Sequence, residues 1–136
     1  MNVDVTPKDV FLDSLARCRQ RPAFLAAFYR RFMASSDEVR QAFEDTDFRH
    51  QHRMLARSLE LTAAATAGDA SGLRELTDRA TTHDRHHLNV RPELYDLWLD
   101  AMIETARETD PFWDDEVEQA WRIVIGYAVR HMQKYY

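Results

Sequence analysis

The chain has 136 residues, 45% of them hydrophobic and 11% aromatic, and a net charge of −5 from 23 acids and 18 bases. That is enough chain to bury the core of one domain, expected over residues 1–136, and it is too apolar for disorder. The acid excess carries no concentrated basic face for nucleic acid, and the lone Cys18 excludes an internal disulfide framework and fits a reducing compartment. With no signal-like N-terminus and no apolar run of about 20 residues, no membrane association is expected and the location expected is cytoplasmic.

The periodicity is helical almost throughout. Thr6-Pro7 places a capping residue before a proline, opening a helix with Phe11, Leu15 and Cys18 on one face. After Arg21-Pro22 the next helix sets Phe24/Leu25, Phe28/Tyr29 and Phe32/Met33 at four-residue spacing, a broad buried face. Ser35-Ser36-Asp37 breaks it and caps a short turn ending near Phe43, and Glu44 to Asp47 reads as a loop. From about Phe48 to Ala67 a long helix runs on alanine and leucine until Gly68 stops it. Asp69 and Ser71 are candidate caps for a helix whose Leu73, Leu76, Ala80, His83 and His87 share one stripe. Pro92 starts a helix carrying Leu94/Tyr95, Trp98/Leu99 and Met102/Ile103. Asp110-Pro111 repeats the cap-then-proline signal before a last helix with Val117, Ala120/Trp121, Val124/Ile125, Ala128 and Met132. Few glycines, no internal repeat and no linker complete an all-α reading with six or seven helices.

One histidine stands out. His83 continues an apolar stripe without interrupting it, which is what an imidazole projecting into a dry slot towards a metal requires. Taken alone it reads more readily as a satisfied core residue. Gln51 opens the stripe Gln51, Leu55, Leu59 on another helix, and Tyr29 supplies a phenol from a third. Two convergent donors in a dry pocket would hold a partly negative diatomic gas, each bond contributing about 1 kcal/mol or more. The plain alternatives are a core aromatic for Tyr29, a solvated amide for Gln51 and a loop anchor for Phe43. His83 and His87 are also spaced as zinc ligands, with no third ligand nearby. His50 and His52 read as solvated histidines at the loop edge, or as a distal ligand should the helix rotate.

Taken in order and spacing, these segments resemble the globin family over roughly residues 10 to 134. Phe28-Tyr29-Arg30-Arg31-Phe32 through Ala42-Phe43 looks like the second globin helix, the short helix after it and the phenylalanine that packs on the haem. Gln51-His52-Arg53-Met54-Leu55 looks like the distal helix of bacterial globins, Ala80-Thr81-Thr82-His83 like the proximal segment, and Val90-Arg91-Pro92-Glu93-Leu94-Tyr95 like the entry to the next helix. Ala120-Trp121 with Gly126 resembles the last helix. The similarity is to the globin domains of flavohaemoglobins, single-domain bacterial haemoglobins and globin-coupled sensors.

The resemblance implies a globin fold around one haem pocket and haem b (iron protoporphyrin IX) as cofactor. His83 becomes the proximal metal ligand, with Tyr29 and Gln51 as the distal hydrogen-bonding pair. Leu55 shapes the distal pocket, Phe43 packs on the porphyrin, and Tyr95 sits on the proximal side. The function implied is binding, transport or sensing of dioxygen, or of nitric oxide or carbon monoxide, rather than catalysis. The alternatives are a nitric oxide dioxygenase served by an external reductase, and a haem-free sensor or interaction domain with a signalling partner; a homodimer through the last two helices is also implied.

The pattern frays at three points. His83 lies nine residues before Pro92, about two more than the bacterial pattern, and counting back from Pro92 puts the ligand slot on Arg85. His86 and His87 therefore rival His83 as the ligand, His87 on the same stripe; Arg85, His87 and Arg91 are candidates to pair with haem propionates. The glutamate that flavohaemoglobins carry in the last helix falls near Tyr136, which weakens the push a carboxylate would give the histidine. No reductase or output domain is expected in so short a chain.

Overall fold

A computed structural model describes residues 5–83 and 90–134 of the chain. Seven helices occur among them and no strand: α1 (Pro7–Arg19), α2 (Phe24–Ala34), α3 (Asp37–Ala42), α4 (Phe48–Thr66), α5 (Ala70–His83), α6 (Pro92–Thr109) and α7 (Asp115–Lys134). None is long and apolar enough to cross a membrane. The all-α expectation holds, and most boundaries fall where the caps placed them.

The caps work by local chemistry. The Thr6 hydroxyl accepts from the Asp9 amide while the Asp9 carboxylate reaches back to the Thr6 amide, so two orphan donors of α1 are satisfied reciprocally. Ser36 caps α3 and Asp47 caps α4 through their side-chain oxygens. Asp69, the residue before α5, accepts the Gly72 amide at 3.0 Å. Gly68 takes φ of 86°, the left-handed turn that ends α4 and that a side chain would strain.

The second cap-then-proline signal does something else. Asp110 does not open α7; it closes α6, and Asp114 accepts the Val117 amide at 2.8 Å at the start of α7. Asp110 is drawn inward instead. Its carboxylate accepts Arg17 Nε at 2.6 Å, Arg17 Nη2 at 2.9 Å, the Ser14 hydroxyl at 2.6 Å and the Phe112 amide at 2.9 Å. Ser14 in turn accepts Trp121 Nε1–H at 2.9 Å, so one buried network ties α1, the α6–α7 turn and α7.

α7 is the axis of the packing, lying against α1, α4, α5 and α6, while α2 packs on α6 and carries α3. Trp121, fully buried, takes Phe11 edge-on at 4.7 Å between ring centroids. Phe11, Leu15 and Cys18 of α1 and Met102, Ile103 and Ala106 of α6 fill the same core. Each such large apolar side chain contributes about 1.5–3 kcal/mol on leaving water. Trp98, on the apolar stripe of α6, is half-buried against this core and meets Phe28 edge-on at 5.7 Å.

α4 and α5 approach closely because Gly72 lacks a side chain. A Cβ there would stand 2.6 Å from the Leu61 carbonyl oxygen and 2.8 Å from the Ala65 amide nitrogen, both backbone atoms that cannot swing aside. Gly72→Ala is expected to lower stability by about 1–3 kcal/mol through forced separation of the two helices. Urea denaturation checks it; a midpoint equal to that of the unsubstituted protein would mean that α5 can slide freely on α4.

Candidate functional site

α2 is amphipathic, and its buried face turns Tyr29 towards α4. The ring is 3% exposed and caged by aromatics: Phe28 at 4.9 Å, Phe43 at 5.5 Å and Phe48 at 5.5 Å, all edge-on, with His52 stacked nearly flat on it at 5.4 Å and 14°. The Gln51 side chain lies near the hydroxyl, close enough to favour its charged form. Burial pushes the phenol up to about 12, against the opposing influence of the nearby Gln51 side chain. Tyr29 therefore stays a neutral donor-acceptor throughout the physiological range.

Tyr29 and Gln51, twenty-two residues apart, are thus brought together as the stripes required. Gln51 is half-buried and not the solvated amide of the plain alternative. Leu55, one turn further along α4, is buried in the main core. Phe43 closes α3 as its C-cap and is half-buried against Tyr29, Phe32 and Phe48. It also lines a cleft of about 590 Å³ with Met33, Arg40, Gln41 and Glu44.

His83 is the last residue of α5, half-buried, with Nδ1 2.6 Å from the Arg79 carbonyl oxygen. A carbonyl can only accept, so Nδ1 carries the hydrogen and Nε2 keeps its lone pair. Burial lowers the imidazole below its ordinary value, the Arg79 carbonyl opposes that shift and the Arg79 charge adds to it. The folded protein holds the neutral ring. Its contribution to stability is therefore complete above pH 6.5, the ordinary value, and declines as pH falls below that towards the lower folded value. A thermal-melt series from pH 8 to 5 is expected to lose this contribution in the acid half, and His83→Gln should flatten that part of the profile.

The Val90 amide donates to the His83 carbonyl at 2.9 Å, fixing the end of α5 to the approach of α6. His87, with Arg85 and His86, lies outside the described residues, as does Tyr136. Tyr95 is buried on α6 within the main core, and burial pushes its phenol up to about 12. Among the described residues, no hydrogen bond or ring contact joins His83 to Tyr29, Gln51 or Tyr95, so two half-sites stand on α2–α4 and on α5. Arg91 is engaged by carboxylates, with Glu38 as one partner and Glu93 at 2.8 Å as another. No group of three His, Cys, Asp or Glu side chains is arranged to hold a metal ion among the described residues.

Sequence reasoning missed Phe48 and His52 as walls of the tyrosine cage. They are four apart on α4 and so share a stripe, which was the available signal. His50 is exposed as expected, whereas His52 is half-buried and its Nε2 has no hydrogen-bond partner.

No family model matches the chain, and no curated protein does either. Among solved structures, one from Pseudomonas aeruginosa, described as structurally highly homologous to a human hemoglobin, superposes with a TM-score of 0.90. It is 34% identical, over 96% of this chain and 98% of that one. The chain belongs to the globin family.

The globin fold accounts for the order of the helices. α4 bears Gln51 and Leu55, α5 bears His83, and both pack on α7, while α2 and α3 bring Tyr29 and Phe43 to the α4 side.

Proposed function

We propose that this globin binds haem b, with His83 as the proximal iron ligand, and reversibly holds dioxygen or another diatomic gas beside Tyr29 and Gln51. The observation that carries the reading is the hydrogen bond of His83 to the Arg79 carbonyl. It fixes the tautomer and presents the free Nε2 lone pair, and a backbone acceptor behind Nδ1 is the usual partner of a ligating histidine. Burial keeps the ring neutral, which ligation also requires. The donor set therefore fits the group.

When bound, the haem supplies a ferrous iron to which a diatomic gas coordinates. The chain's part is binding and orientation. Phe43, half-exposed on its cleft, offers an apolar face to the porphyrin, and Leu55 limits the space on the distal side. Tyr29 and Gln51 offer polar hydrogens from a dry setting, where such bonds are stronger than in water. A backbone carbonyl behind His83 makes it less imidazolate-like than a carboxylate would, which favours reversible gas binding over redox turnover. The setting proposed is cytoplasmic, with no nucleic acid or membrane as partner.

An absorption spectrum of protein expressed with ample haem tests the reading: a Soret band in the purified protein is expected. Its absence would leave a haem-free helical module. For the distal pair, Tyr29→Phe and Gln51→Leu are each expected to speed oxygen release about fivefold or more, for a lost bond of about 1 kcal/mol. Stopped-flow dissociation checks this, and unchanged rates in both variants would mean that neither side chain touches the gas.

A further inference from the structure

A second concave site lies on the other side of α4, where it faces the α1–α2 corner. It encloses about 270 Å³ and is lined by Arg19, Arg21 and Arg53 together with Phe24, Leu25 and His52. Three guanidinium groups converge there on a protein whose net charge is −5. Glu60 engages Arg19. Arg21 and Arg53 are exposed, and among the described residues no acid lies within ion-pair reach of either, so two cations stand uncompensated there beside an apolar wall. Phe24 is 2% exposed and Leu25 half-buried, which makes that wall continuous with the core.

Planar guanidinium groups bind carboxylates and phosphates through paired hydrogen bonds. The apolar wall separates the two. A phosphate offers nothing to Leu25 and the edge of Phe24 that reaches the pocket, whereas an acid with a short hydrocarbon tail covers them while its carboxylate meets Arg21 and Arg53. The volume matches on the order of nine water molecules at roughly 30 Å³ each, room for a short-chain acid and not for a long one. Since the protein's overall field repels anions, the affinity has to come from these local contacts.

From this we infer that the pocket between α4 and the α1–α2 corner is a binding site for small aliphatic monocarboxylates. His52 is the wall between this pocket and Tyr29: it lines the one and stacks on the other. The site goes beyond the gas-binding reading and does not depend on it, since neither Arg21 nor Arg53 belongs to the distal or proximal half-site.

Calorimetric titration of the full chain with acetate, butyrate, hexanoate and inorganic phosphate tests the inference. Hexanoate is expected to bind saturably and tightest, with affinity rising up to roughly fourfold per added methylene. Arg21→Gln/Arg53→Gln should weaken hexanoate by roughly tenfold or more, whereas Arg30→Gln/Arg57→Gln, the same charge change outside the pocket, should not. Hexanoate binding no tighter than acetate, phosphate binding tighter than hexanoate, equal binding by both double variants, or no saturable binding at all would each overturn it. These outcomes are read without a Soret band, so they stand or fall separately from haem binding.

Discussion

His83→Ala protein is expected to emerge from haem-supplemented expression colourless, with a helical circular dichroism spectrum like that of the unsubstituted chain. Loss of the Soret band should be complete and not partial, because the substitution removes the only Nε2 lone pair that the described part of α5 presents. The fold should survive: His83 ends its helix, and the Arg79 carbonyl it leaves sits in the last turn, where water can replace the lost donor. His83→Gly, soaked with free imidazole, should recover part of the band. His87→Ala is expected to keep it. Should His87→Ala lose haem and His83→Ala retain it, the ligand is His87 and the Arg79 hydrogen bond serves only to end α5.

The largest effect on stability is expected at Asp110. Its side chain is fully buried and accepts four hydrogen bonds, two of them from Arg17. Asp110→Ala strands the Ser14 hydroxyl and a half-buried guanidinium, and breaking a buried pair from one side costs about 3–5 kcal/mol. Against a typical stability of roughly 5–15 kcal/mol that is a large share. Urea unfolding should show the midpoint falling steeply with little change in slope; a loss under about 1 kcal/mol would mean that water replaces the carboxylate. Burial works against the charged form of Asp110, but the bonds from Arg17, Ser14 and the Phe112 amide outweigh it and hold the carboxyl below its ordinary 3.8. The sign follows: its contribution is complete above that ordinary value and is lost as pH falls through the lower folded value. Asp110→Ala should therefore remove part of the acid sensitivity along with the stability.

Asp110 also shows where a sequence signal misleads. Thr6-Pro7 and Asp110-Pro111 look alike, and only the first opens a helix. At Thr6 the capping oxygen has nothing to bind but its own helix. At Asp110 the carboxylate is claimed by Arg17 and Ser14, more than ninety residues away in the chain, and local chemistry cannot announce that. The new helix starts only where Asp114 supplies a fresh cap.

Tyr29 and Gln51 were legible for the opposite reason. Each sits on a strong stripe of its own helix, and two stripes that must both be buried have few ways to meet. His52 was not legible. One residue from Gln51 it points about 100° away, and whether that direction meets water or the Tyr29 ring depends on how α4 is rotated against α2. No periodicity within α4 fixes that angle. The same holds for the arginine-lined pocket, whose cations come from two segments, the α1–α2 corner and α4, and acquire meaning only when the one is placed beside the other.

The Val90 amide bonded to the His83 carbonyl bears on how the family can vary here. The bond ties the approach to α6 directly to the residue that ends α5, so each end holds the other in place. Two extra residues between His83 and Pro92 therefore need not displace the histidine or the helix that follows. Insertions and deletions between Arg79 and His83 are expected to be damaging, because they turn the histidine off its stripe and away from the Arg79 carbonyl. With His83 as the proposed ligand, spacing counted back from Pro92 is then a poor ruler for finding it.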